Sequence, residues 1–113
     1  MFGVNVMKKV LIICAQGMSS ALMAKKTTEY LKSKGHDIEI EATYVQEGGR
    51  RIEKGDYDLY LVSPQAKIYY QKLKEAGDRA GKPVANIYPQ AYVPIPTGIE
   101  KLGELVLQEL EKN

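Results

Sequence analysis

Across 113 residues there is one cysteine, Cys14, and one histidine, His36. A lone cysteine forms no internal disulfide, and no group of cysteines and histidines has the spacing of a metal site, so no metal is expected. No apolar run approaches the roughly 20 residues that span a bilayer, which excludes direct membrane insertion. Residues 1–6 (Met1-Phe2-Gly3-Val4-Asn5-Val6) are too few for a signal peptide, and the chain reads as cytoplasmic. An excess of one charge is also lacking: 16 Lys and Arg stand against 14 Asp and Glu, for a net charge of +2. The basic residues are scattered among the acidic ones, and the eight tyrosines lack the basic and aromatic interleaving of a base-stacking surface. Nucleic acid is therefore not expected as a partner. No repeat or low-complexity linker divides the chain, and its length suffices for one core. The expected organisation is a flexible extension over residues 1–7 and a single domain over 8–113.

What is present is a regular alternation of strand and helix patterns. Val10 to Ile13 is apolar without alternation, as in a strand covered on both faces. It ends at Cys14, passes through a short loop with a glycine and two serines, and enters a helical pattern. Ser19 is expected to cap that helix, with Ala21, Ala24, Thr28 and Leu31 on its apolar face and Gly35 as its left-handed stop. His36 to Val45 alternates polar and apolar residues, which predicts an edge strand. Gln46 to Asp56 carries Gly48, Gly49 and Gly55 with Ile52 as its one anchor, and predicts at most a turn or two of helix.

Tyr57 to Val62 again has buried-strand composition, and Ser63-Pro64-Gln65 ends it and opens the next helix. Tyr69, Leu73, Ala76 and Ala80 mark that helix's apolar face, and Gly81 closes it. Pro83 to Ile87 predicts a short fourth strand, followed by a proline-broken loop from Tyr88 to Pro96. Thr97 and Glu100 fit a capping box before a terminal helix with Ile99, Leu102, Val106 and Leu110 on one side.

Strands alternating with helices imply right-handed crossovers and an α/β fold, a doubly wound four-stranded parallel sheet in the order 2-1-3-4 with helices on both faces. In such folds ligands bind beyond the carboxyl ends of the strands, where the strand order reverses. That point lies beside the end of the first strand, at Cys14. Backbone N–H groups in the following loop and the partial positive charge of the helix start stabilise a phosphate or a thiolate there. The loops around Ser63 to Gln65 and Tyr88 to Tyr92 are expected on the same rim. The site expected is therefore Cys14 as nucleophile or carrier, the loop after it around an anion, and Ser63, Pro64, Gln65 and Tyr88 at the rim. For an arbitrary cysteine a small buried hydrophobe is the default role, but the glycine-bearing loop and helix start favour a reactive thiol.

Three chemistries suit a strand, cysteine, loop and helix in this order. A cysteine phosphatase needs a loop Arg, commonly as C-x5-R, and an Asp to protonate the leaving oxygen. Here the sixth residue after Cys14 is Ser20, the loop has no Arg, and Tyr88 to Pro96 contains no acid. Asp56 and Asp58 fall at the start of the third strand, on the wrong end of the sheet. A thioredoxin-like redox site needs a second cysteine, and the spacing that would carry it falls on Gly17. The remaining chemistry is phosphoryl relay, in which sulfur accepts a phosphoryl group and holds it for another acceptor. A non-enzymatic flavodoxin-like module for a phosphorylated ligand is a further alternative.

The run from Val10 to Lys26, VLIICAQGMSSALMAKK, resembles the phosphorylation loop of lactose/cellobiose-type enzyme IIB components of the bacterial phosphoenolpyruvate-dependent sugar phosphotransferase system. The pattern is an apolar strand followed by C-x-x-G-M-S-[ST]-[SA]. Asp58-Leu59-Tyr60-Leu61-Val62-Ser63-Pro64-Gln65 is similar to the family's third strand ending in Pro-Gln, with Ser63 in place of the glycine expected there. The resemblance implies a flavodoxin-like or phosphatase-like fold, no cofactor and a phosphocysteine at Cys14. It further implies that Ala15, Gln16, Gly17, Met18, Ser19, Ser20 and Ala21 wrap the phosphate, with Ser19 and Ser20 as hydroxyl donors. The implied activity is that of a protein-phosphohistidine–sugar phosphotransferase. Phosphorylated enzyme IIA would donate, and a sugar held by the membrane IIC permease, a β-linked disaccharide such as cellobiose, would receive. The domain would then sit at the inner face of the membrane through IIC.

Overall fold

The structure, a computed structural model, describes residues 7–15 and 19–112. Most of the extension expected over residues 1–7, and Gln16, Gly17 and Met18 of the loop, lie outside the described residues. Eight principal elements alternate: β1 (Lys8–Cys14), α1 (Ser19–Ser33), β2 (Ile38–Tyr44), α2 (Val45–Lys54), β3 (Leu59–Val62), α3 (Tyr70–Ala80), β4 (Val84–Asn86) and α4 (Pro96–Glu111). Short 3₁₀ segments, Pro64–Tyr69 and Pro89–Ala91, precede α3 and α4. The four strands form a parallel sheet in the order β2-β1-β3-β4. This is the expected doubly wound arrangement.

Each face of the sheet carries its own core. Val10 and Ile12 of β1 and Leu59 and Leu61 of β3 pack against Met23 and Leu31 of α1 and Leu102, Leu105 and Val106 of α4. The alternate residues Leu11, Ile13, Tyr60 and Val62 pack against Ile52 of α2 and Leu73 and Ala76 of α3. Because both faces of β1 and β3 are covered, their residues are apolar without alternation, and Val10 to Ile13 are all 0% exposed.

Several elements differ locally from the sequence pattern, each for a physical reason. In α1 the buried residues are Ser20, Met23, Ala24, Thr27 and Leu31, whereas Ala21 is exposed. The helix thus faces the sheet through a stripe one residue earlier than expected at its start. Thr28, expected on that stripe, donates its hydroxyl to Ala24 O at 2.7 Å and accepts the Ile40 N–H at 2.9 Å. It occupies a backbone donor on the edge strand β2. Tyr69 is exposed rather than on the apolar face of α3. The capping box expected at α4 is not made: the helix starts at Pro96 with Ile95 as its cap and no side-chain cap bond, so Thr97 lies inside the first turn. Proline at the first position supplies the favourable φ instead.

The largest difference is α2, a ten-residue helix where the sequence predicts a turn or two. Two glycines lower its intrinsic stability, by about 1 kcal/mol each relative to alanine. One of them enables its packing. A Cβ at Gly48 would stand 2.9 Å from Ile13 Cγ2 and 3.1 Å from Leu73 Cδ2, so glycine lets α2 lie close to the sheet and bury Ile52 completely. Gly35 and Gly81 adopt positive φ, as their expected roles as helix stops require.

The amino end of the sheet is closed by a polar cluster that fixes the start of β3. Asp58 accepts the Lys9 N–H at 2.8 Å and donates its own N–H to Lys9 O at 2.7 Å. Tyr57 donates its hydroxyl to Glu41 and accepts from Arg51 Nη2 at 2.7 Å. Burial, reinforced by the Glu41 carboxylate, pushes the Tyr57 phenol up to about 12. A phenol of ordinary acidity ionises near pH 10 in the unfolded chain, so the folded protein keeps a proton that the unfolded chain releases. This stability is complete below pH 10 and is lost as pH rises through about 12. Denaturant titrations at pH 9 and pH 11.5 are expected to show the stability advantage of the native protein over Tyr57→Phe shrinking by about 2 kcal/mol. Equal pH slopes in the two proteins would refute the coupling.

Candidate functional site

Cys14 ends β1, one of the two inner strands, and the strand order reverses beside it. Its side chain is 2% exposed. The thiol donates to Thr43 O of β2 at 3.3 Å. With the thiol proton on that carbonyl, the Ser20 hydroxyl is the donor in the Sγ···Oγ contact of 2.9 Å. Ser20 is 3% exposed and belongs to the first turn of α1, so the contact pins the start of that helix against the sulfur.

The electrostatics follow from this contact. The first four N–H groups of a helix lack partners within it, and the helix dipole adds partial positive charge at the same end. The first turn of α1 carries no acidic residue to oppose an anion. Neither hydrogen-bond partner of the sulfur is a carboxylate, an imidazole or a guanidinium. Asp58, bonded to Lys9, is five residues down the strand from Cys14, a distance on the order of 16 Å. The arrangement accommodates a negative group on sulfur without placing a described acid or base beside it.

The residues named from the sequence are distributed unequally around this point. Ser20 touches the sulfur, Ala15 is half-buried next to it in the chain, and Ala21 is exposed in the first turn of α1. Ser19 is the first residue of α1 rather than a residue preceding it. Pro64 is half-buried, and Gln65 and Tyr88 are exposed beyond the carboxyl ends of β3 and β4. Ser63 is different. Expected to present itself at the rim, it is 0% exposed and does not reach the surface. Tyr92, grouped with the same rim, is also buried. Thr43 escaped the sequence reading because its backbone carbonyl, not its side chain, meets the thiol; the signal was the register that sets Cys14 opposite Tyr44.

A cleft of about 310 Å³ opens beside this end of the sheet, lined by Pro64, Lys67, Asn86, Ile87, Tyr88 and Pro89. Exposed Leu22, Tyr44, Ile68, Tyr69 and Tyr88 occupy the same end, with Ile68 84% exposed. A larger cleft of about 490 Å³ lies between α2 and α3, where Arg50, Lys72 and Arg79 stand among Glu53 and Glu75. It lies on the flank of the sheet opposite α1. No group of three or more metal-ligating side chains occurs among the described residues, and no helix among them is long and apolar enough to cross a membrane.

Residues 9–102 match the family described as the PTS system, Lactose/Cellobiose specific IIB subunit. The chain belongs to that family. This IIB chain is 33% identical over 86 residues to the oligo-beta-mannoside-specific EIIB component of Bacillus subtilis (strain 168), covering 76% of this chain and 82% of that protein. It is 25% identical over 109 residues to the lactose-specific EIICB component of Staphylococcus haemolyticus, covering 96% of this chain but 18% of that longer protein. Two solved structures share its fold. The lactose-specific IIB domain from Streptococcus pneumoniae aligns with a TM-score of 0.77 at 22% identity over 90% of this chain and 96% of that one. The cellobiose-specific IIB component from Borrelia burgdorferi aligns at 0.71 and 23% identity, over 95% and 94%. Family membership places this IIB chain in the phosphotransferase system for sugar transport, with a phosphotransferase role in general.

Proposed function

We propose that this IIB chain relays a phosphoryl group through Cys14, receiving it from a phosphohistidine of a IIA protein and passing it to a sugar held by a IIC permease. The observation that carries the reading is the sulfur itself, held at the reversal point of the sheet by the Ser20 hydroxyl in the first turn of α1. On transfer the thiol gives up its proton, sulfur bonds to phosphorus, and the nitrogen–phosphorus bond breaks with its electron pair returning to the imidazole, which takes the proton. The product carries up to about two negative charges, by analogy with phosphoserine. The orphan N–H groups of the first turn of α1, from Ser19 to Leu22, receive that charge. Phosphoryl transfer needs mainly such positioning and charge stabilisation.

The burial of Cys14 supports holding over hydrolysis, since a site shielded from water protects a reactive intermediate. The exposed apolar side chains around it suit successive protein partners. Lys67 is the one Lys, Arg, Asp or Glu among the described residues lining the nearby cleft, so no carboxylate there opposes a phosphorylated donor. The name of the Staphylococcus haemolyticus relative joins IIC and IIB in one chain, which supports a IIC partner at the membrane. For the sugar, the names of the relatives and structures support a β-linked saccharide of the lactose, cellobiose or mannoside kind.

The deciding experiment is incubation with a lactose/cellobiose-type IIA protein charged on its histidine, followed by intact-mass spectrometry and peptide mapping. One phosphoryl group on Cys14 is the expected result. Phosphate on another residue, or none, overturns the reading, and rapid thiol-dependent turnover of an aryl phosphate would replace it with a phosphatase.

A further inference from the structure

We propose that Ser63 contacts the phosphoryl group: its hydroxyl donates a hydrogen bond to the phosphate carried on Cys14. The inference rests on the phosphocysteine reading and adds a residue from a different strand to it. Ile13 pairs with Val62 across β1 and β3, and the Ser63 N–H donates to Ile13 O at 2.9 Å. The next step of the same register sets Ser63 abreast of Cys14, one strand spacing of about 4.8 Å away. Paired residues of parallel strands point to the same face. Ile12 and Leu61 both point toward α1 and α4, so Cys14 and Ser63, two residues further on, face that side as well. The contact of Cys14 with Ser20 of α1 agrees with this direction.

Among the described residues the Ser63 hydroxyl is unemployed. The residue is 0% exposed, and its Oγ has no hydrogen-bond partner among the described residues. Buried hydroxyls are seldom left so, because the lost hydration is not replaced. The ordinary role for a serine here would be to cap the 3₁₀ segment Pro64–Tyr69, yet Ser63 at its N-cap makes no side-chain cap bond. Its own N–H is engaged by Ile13 and its carbonyl by the Ala66 N–H at 3.0 Å. Meanwhile the sulfur has partners toward β2 and α1, through Thr43 and Ser20, and none from β3 among the described residues. A phosphoryl group on that sulfur brings three acceptor oxygens to the strand neighbour of an unpaired donor. Glycine at this position, as the resemblance to the third strand of the family suggests, would offer no such donor.

The test compares the native protein with Ser63→Ala and Ser63→Gly after charging with a phosphorylated lactose/cellobiose-type IIA protein. Both variants are expected to keep the thermal stability of the uncharged native protein or exceed it, since an unpaired buried hydroxyl is removed. Their phosphoryl exchange equilibrium is expected to shift toward IIA by about ten-fold, the effect of one hydrogen bond to a charged acceptor. The ³¹P resonance of the phosphocysteine is expected to move in both, a signature that a purely structural role for Ser63 would not produce. Native protein labelled at Cys14, with both variants matching it in equilibrium and resonance, overturns the role of Ser63 alone. Native protein that takes no phosphate at Cys14 overturns the phosphocysteine reading with it.

Discussion

Cys14→Ala is expected to accept no detectable phosphoryl group from a charged IIA protein, while remaining folded. The nucleophile is gone, and the chain has no second cysteine to replace it. The structural cost is moderate. Removing the sulfur leaves the Thr43 carbonyl and the Ser20 hydroxyl without their partner, a loss of about 1–2 kcal/mol. A melting curve therefore separates loss of chemistry from loss of fold. Cys14→Ser retains a hydrogen-bonding group, yet an alcohol with no adjacent general base is a poor nucleophile, and phosphorylation is expected to be lost there too. Phosphate transfer at the native rate in either protein would show that Cys14 is not the carrier.

Gly98→Ala is expected to be among the most destabilising single-atom additions to the chain. Gly98 lies in the first turn of α4, and a Cβ there would fall 2.1 Å from the Val93 carbonyl oxygen. That oxygen also accepts the Ile95 N–H at 2.8 Å, so it is held by the turn leading into the helix. Backbone cannot rotate away as a side chain can, and the loop from Val93 to Ile95 must move or α4 must withdraw from Leu102 and its neighbours. Overpacking of this kind costs about 3 kcal/mol, the upper part of its usual range. For a chain of this length the thermal midpoint is expected to fall by roughly 10 °C, measured by calorimetry or circular dichroism. Gly49→Ala in α2, where nothing lies within 4 Å of the added carbon, supplies the control and should be neutral or stabilising. Similar midpoints in the two variants would show that the approach of Gly98 to Val93 is not tight.

The legible parts of this protein are those where neighbouring residues in the chain carry the same message. An unbroken apolar run such as Val10 to Ile13 has few alternatives to a strand buried on both faces, and the glycines at 35 and 81 mark stops that local backbone geometry enforces. The reading of α2 as at most a turn or two of helix shows the opposite case. Its helix propensity is low throughout, and what stabilises the helix is the close approach of Gly48 to Ile13 and Leu73, residues far away in sequence. The same applies to the start of α1, where burial selects Ser20 over Ala21 because β1 and β2 fix which side of the helix faces inward.

By itself the sequence determined the alternation of strands and helices, the order of the sheet, and the position of Cys14 at the point where that order reverses. Its single cysteine also excludes an internal disulfide. These are properties of composition and local periodicity, and they survive any detail of packing. Only the tertiary structure decided which groups meet the sulfur, the Thr43 carbonyl from β2 and the Ser20 hydroxyl from α1, and that just past the end of β3 lies a Ser63 hydroxyl with no partner among the described residues. Ser20, Thr43 and Ser63 are 6, 29 and 49 positions from Cys14 along the chain. Strand register and helix packing bring them to one place, and no local pattern along the chain encodes which of them will face the others.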